Sequence, residues 1–214
     1  MGAVLRVDQM SPSAEVVARA AEVARAGGVL VLPTDSVYGI CCAATPGNPA
    51  HARIFDIKHR DRAQTLPWFV ADKEDLDVYG ADVPGWARRL VAAHWPGALT
   101  LVVRASAEVP AEYAQPGADG PTIALRCPGS ELDRALVRAV GAPLAQTSAN
   151  THGAPAATSG HGVEPAIVAA ADLTLDGGAA PVGVASTIVD ATGPEPRVLR
   201  LGALTEDEVL LALG

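Results

Sequence analysis

The chain has 214 residues, 49% of them hydrophobic and 19% charged, which supplies apolar surface for one sizeable core and excludes a wholly disordered chain. Sixteen Lys and Arg against 24 Asp and Glu give a net charge of −8, the wrong sign for coating a phosphate backbone, so a bound anion needs a local basic pocket. Aromatic residues at 4% argue against a base-stacking surface, and three cysteines without CxxC or Cys/His ligand spacing argue against a zinc site or a disulfide scaffold.

Strand-like and helix-like segments alternate from the start, which predicts an α/β layered fold, read here as one domain over residues 1–214. A short strand, AVLRV, comes first. Ser11 and Pro12 then read as the cap and first position of an Ala-rich helix running to about Ala26, stopped by Gly27 and Gly28. The strand Val29–Leu32 runs into the polar turn Pro33–Gly39, at a strand's carboxyl end where open sheets place ligands. Helices are expected over Asn48–Lys58, Pro84–Trp95 and Glu131–Val140, with strands around Leu66–Val70, Leu99–Arg104 and Thr122–Cys127. After Asn150 comes THGAPAATSGHG, a linker or a loop folded over a site, then strands at Leu173–Leu175, Ser186–Asp190 and Val198–Leu201 and a helix from about Glu206. No apolar run reaches membrane-span length and the first ten residues lack signal-peptide order, so the cytoplasm is the expected compartment.

The chain has no Gly-Lys pair, hence no P-loop, and no GxGxxG, HExxH or GxSxG. None of its five histidines shows ligand spacing, and none is assigned a role. The densest basic run is Lys58-His59-Arg60-Asp61-Arg62, at an expected helix end where the dipole alone favours cations. The KxR spacing in an extended turn sends Lys58 and Arg60 to one side, a point charge and a bidentate fork suited to phosphate oxygens. Gln146 to Asn150 cluster hydroxyl and amide groups just past a strand's end, as turn and cap residues also do. Arg126 and Arg200 sit in apolar strand-like segments, where each requires either a carboxylate or an anionic ligand.

In order, the chain carries PTDSVYG (Pro33–Gly39), KxR (Lys58, Arg60), WPGALT (Trp95–Thr100), TIALR (Thr122–Arg126), SxN (Ser148, Asn150), STIVD (Ser186–Asp190) and LRLG (Leu199–Gly202). Over about residues 15–202 this set resembles the YrdC/TsaC/YciO proteins, whose best-known members are threonylcarbamoyl-AMP synthases. The resemblance implies a twisted mixed β-sheet flanked by helices around a concave basic cavity. It implies that L-threonine, bicarbonate and ATP give threonylcarbamoyl-AMP and pyrophosphate, with Mg²⁺ bound through ATP and no protein metal site. Threonine would be held by Ser36, Arg126 and Ser186, and ATP by Lys58, Arg60, Thr122, Ser148, Asn150 and Arg200. Lys58 and Arg60 would act electrostatically, with no protein nucleophile. The product would pass to a tRNA threonylcarbamoyl transferase complex acting on adenosine 37.

Some positions depart from the synthase pattern: Arg62–Trp68 replaces an Asn-Pro-Leu-like run, a loop serine appears as Ala156, and LRPG reads LRLG. Asp35-Ser36 and Cys41-Cys42 are similar to the YciO branch. The other reading is therefore a YciO-like protein that holds tRNA or another structured, double-stranded RNA in the basic cavity, with ribosome maturation as its setting. The chain reads as lacking the extra C-terminal domain of longer synthases. The segment after Asn150, with Gly153 and Gly160 as hinges, is the expected lid.

Overall fold

Ser13, rather than Ser11, caps the first helix. In the computed structural model, which describes residues 3–213, Asp8 Oδ1 accepts from the N–H groups of Met10 and Ser11 and holds this stretch as a turn. The helix therefore begins two residues later than its sequence suggests, where Ser13 Oγ accepts from Val16 N. Met1, Gly2 and Gly214, which the single-domain reading includes, lie outside the described residues.

In chain order the strands are β1 (Ala3–Arg6), β2 (Leu30–Leu32), β3 (Gly39–Ala43), β4 (Trp68–Phe69), β5 (Gly80–Ala81), β6 (Leu99–Ala105), β7 (Thr122–Arg126), β8 (Leu144–Ser148), β9 (Leu173–Asp176), β10 (Thr187–Asp190) and β11 (Arg197–Arg200). The helices are α1 (Ala14–Arg25), α2 (Pro49–Lys58), α3 (Asp75–Tyr79), α4 (Gly85–His94), α5 (Glu131–Val140), α6 (Pro165–Ala170) and α7 (Glu206–Leu211). The strands form one mixed sheet in the order β1-β9-β2-β3-β8-β4-β7-β6-β10-β11, with β5 beside β6. Two of these strands correct the expected turns. β3 follows the PTDSVYG turn directly, and β8 extends through Gln146, Thr147 and Ser148, which pair in register with Cys41, Ile40 and Gly39. Strands on both sides of β3 and β8 supply full ladders, which outweighs the weak strand preference of the polar residues.

Alternation along each strand divides the core in two. Ile40 and Cys42 of β3, Leu99 and Leu101 of β6, and Leu125 of β7 face the layer that includes α2, α4, α6 and α7. On the other face Leu30, Leu32, Cys41, Ala43 and Leu144 pack against Val17, Ala20, Ala21 and Ala24 of α1 and Leu132 and Leu136 of α5. The small Ala face of α1 lets it approach α5 and the sheet closely. Neither helix extends its buried cluster over β7, β6, β10 or β11. That half of the sheet face is left uncovered, and the site lies there. No helix among the described residues is long and apolar enough to cross a membrane.

Candidate active site

The uncovered face carries a cavity of about 310 Å³. Seven of the nine residues expected to hold substrates line it: Ser36, Arg60, Arg126, Ser148, Asn150, Ser186 and Arg200. Three arginines and no carboxylate are in its lining, so the local field is positive in a chain of net charge −8. A shallower hollow of about 700 Å³ lies by β1 and β9, lined by Arg6, Asp8 and Asp176 among others, and includes none of the expected residues. Among the described residues no three His, Cys, Asp or Glu side chains group as a metal site.

Arg126, at the end of β7, is only 4% exposed. Its guanidinium donates to Asp35 Oδ1 at 2.5 Å, to Ser36 Oγ at 2.9 Å and to the carbonyl of Gly97 at 2.9 Å, and it lies 5.3 Å from the centre of the Phe69 ring. The required carboxylate for this arginine is therefore internal. Thr34 Oγ1 lies 3.0 Å from Ser36 Oγ and accepts from Ser36 N, which fixes the turn that brings Asp35 and Ser36 to Arg126.

Arg200 is the opposite case. It donates only to Ser186, to the carbonyl at 2.7 and 3.2 Å and to Oγ at 3.3 Å, and among the described residues it has no carboxylate partner. Burial and the nearby Arg126 cation lower its pKa from the usual guanidinium value. A bulge puts it there. Ile188 pairs with Arg200 and Val189 with Val198, so Leu199 is the extra residue on β11. Leu199 and Arg200 consequently both line the open face, while Val198 packs into the core. Ser186 Oγ is also 2.8 Å from Thr100 Oγ1, which lines the cavity from β6.

The KxR pair does not point one way. His59 closes α2 in the left-handed conformation, φ 51°, and turns the chain between the two basic residues. Lys58, 2% exposed, donates from Nζ to the carbonyls of Ser148 and Asn150, behind the cavity wall. Burial first, then the Arg60 charge, draws its pKa down to about 8, with Glu164 pulling the other way. Arg60 does reach the cavity, held by Gln64 Oε1, Thr147 Oγ1 and the carbonyl of Thr65, with no carboxylate partner among the described residues. Burial lowers its pKa as well.

The segment after Asn150 forms a wall. Glu164 accepts from both N and Oγ1 of Thr151, Asn150 Nδ2 donates to the carbonyl of Ala154, and Tyr38 N donates to that of Ala157. Ala154 and Ala156 face the cavity. Gly160 is a contact position: a Cβ there would lie 2.3 Å from Asp176 Oδ1. Thr122 lies elsewhere, in an adjoining hollow of about 300 Å³ with Arg104, Asp119 and Asp190. It shares a face of β7 with Arg126, four residues or about 13 Å away. Asp35, Thr100 and Glu164 were not singled out from the sequence as site residues, although the first two lie inside quoted motifs.

A model for the Sua5/YciO/YrdC domain, described as "Telomere recombination", matches residues 22–202. The threonylcarbamoyl-AMP synthase of Pyrococcus abyssi is 36% identical over 190 residues, covering 89% of this chain and 55% of that protein. The chain thus spans little more than half the length of that curated relative. The crystal structure of P. abyssi Sua5 complexed with L-threonine superposes with a TM-score of 0.90 at 33% identity, over 99% of this chain and 61% of the other. Escherichia coli YciO superposes with a TM-score of 0.81 at 28% identity, covering 94% and 96%. With its fold, its motif order and its uncovered basic face accounted for, the chain belongs to the Sua5/YciO/YrdC family.

Proposed function

We propose that the protein is a threonylcarbamoyl-AMP synthase that joins L-threonine, bicarbonate and ATP, with release of pyrophosphate and water. The observation that carries this reading is the pair of cavity-lining arginines without carboxylate partners among the described residues, the partly buried Arg60 and the more exposed Arg200, set around the Arg126–Ser36–Ser186 floor. Two guanidinium forks free of carboxylates on one cavity wall are suited to oxygens of an anionic ligand. The names of the relatives, and the threonine in the P. abyssi structure, support the same chemistry.

Arg126, with Ser36 and Ser186, holds the amino acid's carboxylate, and Arg60 and Arg200 take phosphate oxygens by bidentate donation. Thr122 marks the far end of a nucleotide that extends along β7 into the adjoining hollow. Ser148 and Asn150 contact ATP directly, and Lys58 serves it by fixing their carbonyls. ATP enters as its magnesium complex, the ion riding on the phosphates. The threonine amine and bicarbonate condense to a carbamate and water. A carbamate oxygen then attacks the α-phosphorus, a new P–O bond forms, and the bond to pyrophosphate breaks with its electron pair. No protein nucleophile takes part, so the residues contribute positioning and charge neutralisation. The 151–163 segment closes over the intermediate, pivoting at Gly153. The product goes to the tRNA threonylcarbamoyl transferase complex in the cytoplasm.

The test is pyrophosphate release by purified protein with ATP, Mg²⁺ and bicarbonate, with and without L-threonine. Threonine-dependent release with the mass of threonylcarbamoyl-AMP in the product is the expected result. Folded protein without such release overturns the reading, and RNA affinity that falls steeply across a salt series would put RNA binding in its place.

A further inference from the structure

The run Arg62–Trp68, which departs from the synthase pattern, takes no part in the chemistry, yet its first half is folded around Arg60. Arg60 Nε donates to Gln64 Oε1 at 2.7 Å, Nη1 to Thr147 Oγ1 at 3.1 Å and Nη2 to the Thr65 carbonyl at 3.0 Å, and Cζ lies 5.8 Å from the centre of the Phe55 ring. All of these partners are neutral. Elsewhere the chain treats arginine differently: Arg53, Arg62, Arg88, Arg138 and Arg197 each donate to a carboxylate at 2.5–2.9 Å.

Two carboxylates stand close to Arg60 in the sequence, and both are engaged elsewhere. Asp61 Oδ1 accepts from Ala63 N and the Asp61 carbonyl from Gln64 N, which closes the turn that carries Gln64 back to Arg60. Asp56, one helical turn before Arg60, gives both oxygens to Arg62. A glutamate in place of Gln64 would hold Nε more strongly, and would also cancel the charge on the cavity wall. The amide orients the guanidinium and leaves its charge intact. Of the five N–H groups of a guanidinium, three are used in this way and two remain for a ligand in the cavity that Arg60 lines.

We infer that Gln64 is a positioning residue whose carboxamide fixes the Arg60 guanidinium toward the phosphates of the nucleotide without neutralising it. This inference rests on the synthase reading. Calorimetry on the intact protein tests it without turnover, using L-threonine and the magnesium complex of α,β-methylene-ATP, in which a carbon bridge keeps pyrophosphate from leaving. Gln64→Glu is expected to melt no lower than wild type, because it adds an ion pair, yet to bind the nucleotide analogue about tenfold or more weakly. Its affinity for L-threonine stays within about twofold of wild type. Gln64→Ala, which gives up the hold but adds no charge, weakens the analogue by only about two- to fivefold. A purely structural Gln64 predicts the reverse order, with Glu the better replacement. Gln64→Glu binding the analogue no more weakly than Gln64→Ala does, melting lower than wild type, or losing L-threonine to the same extent as the analogue overturns the assignment alone. Wild type that fails to bind either the analogue or L-threonine overturns the synthase reading and this assignment with it.

Discussion

Removing the Arg126 guanidinium leaves Asp35, whose side chain is 13% exposed, as a buried carboxylate without its cation. Losing one partner of a buried pair costs about 3–5 kcal/mol, and the Gly129 N–H that still donates to Asp35 Oδ2 places this case near 3 kcal/mol. In a chain of this length that amounts to a Tm lowered by about 6–12 °C. The assay is urea unfolding of Arg126→Met, Asp35→Asn and the double variant. Deleting both charges removes the stranded one, so the double variant is expected to be more stable than the sum of single losses by at least about 1 kcal/mol. Arg62–Asp56 is the internal control, one Nη donating to both carboxylate oxygens at 2.7 Å but about 60% exposed on both sides, so its coupling is expected to be small. A coupling for Arg126–Asp35 no larger than that of the control would refute the claim that this arginine is held by an internal carboxylate.

Lys58 gives a pH signature. It titrates at about 8 in the folded protein against 10.5 in the unfolded chain, so between these values the unfolded chain holds a proton the folded one has released. Stability therefore rises with pH across that window, by up to about 3 kcal/mol, and the cost of desolvating the ammonium is fully present below it. The stability of wild type minus that of Lys58→Met should follow this rise, and a flat difference from pH 8 to 10.5 would contradict it. The cysteines give a second: burial raises Cys41 well above the usual thiol value and Cys42 and Cys127 to about 12. At pH 8 the thiolate fraction of the latter two is on the order of 10⁻⁴, so Ellman's reagent should react with the folded protein only as fast as it opens, and with all three thiols in denaturant.

Much of the fold was legible because local signals agreed. α5 begins and ends where Ser130, the apolar period and Gly141 place it. The strands of β6, β7, β10 and β11 fall within a residue or two of expectation. β3 was not legible: its turn-rich approach hides that it is buried on both faces, a tertiary fact. The cap of α1 shifted because Asp8, four residues before the expected helix, claims Ser11's N–H. In the site, an arginine in an apolar strand was a sound signal for both Arg126 and Arg200, but only the packing decides which one has an internal carboxylate. The burial of Lys58 depends on α2 ending against β8, a contact between residues some 90 positions apart that no local pattern carries.

The bulge in β11 changes the parity of the strand. Before it, odd-numbered residues look onto the open face, Arg197 toward Asp190 and then Leu199; after it, Arg200 does so on an even number. Charge and apolar surface that a regular strand would have to separate by a whole pleat thus stand side by side. The address of Arg200 in the cavity is therefore set by a count of residues as much as by its chemistry: a regular strand of the same length, paired without the extra residue, would turn the cation toward the core layer.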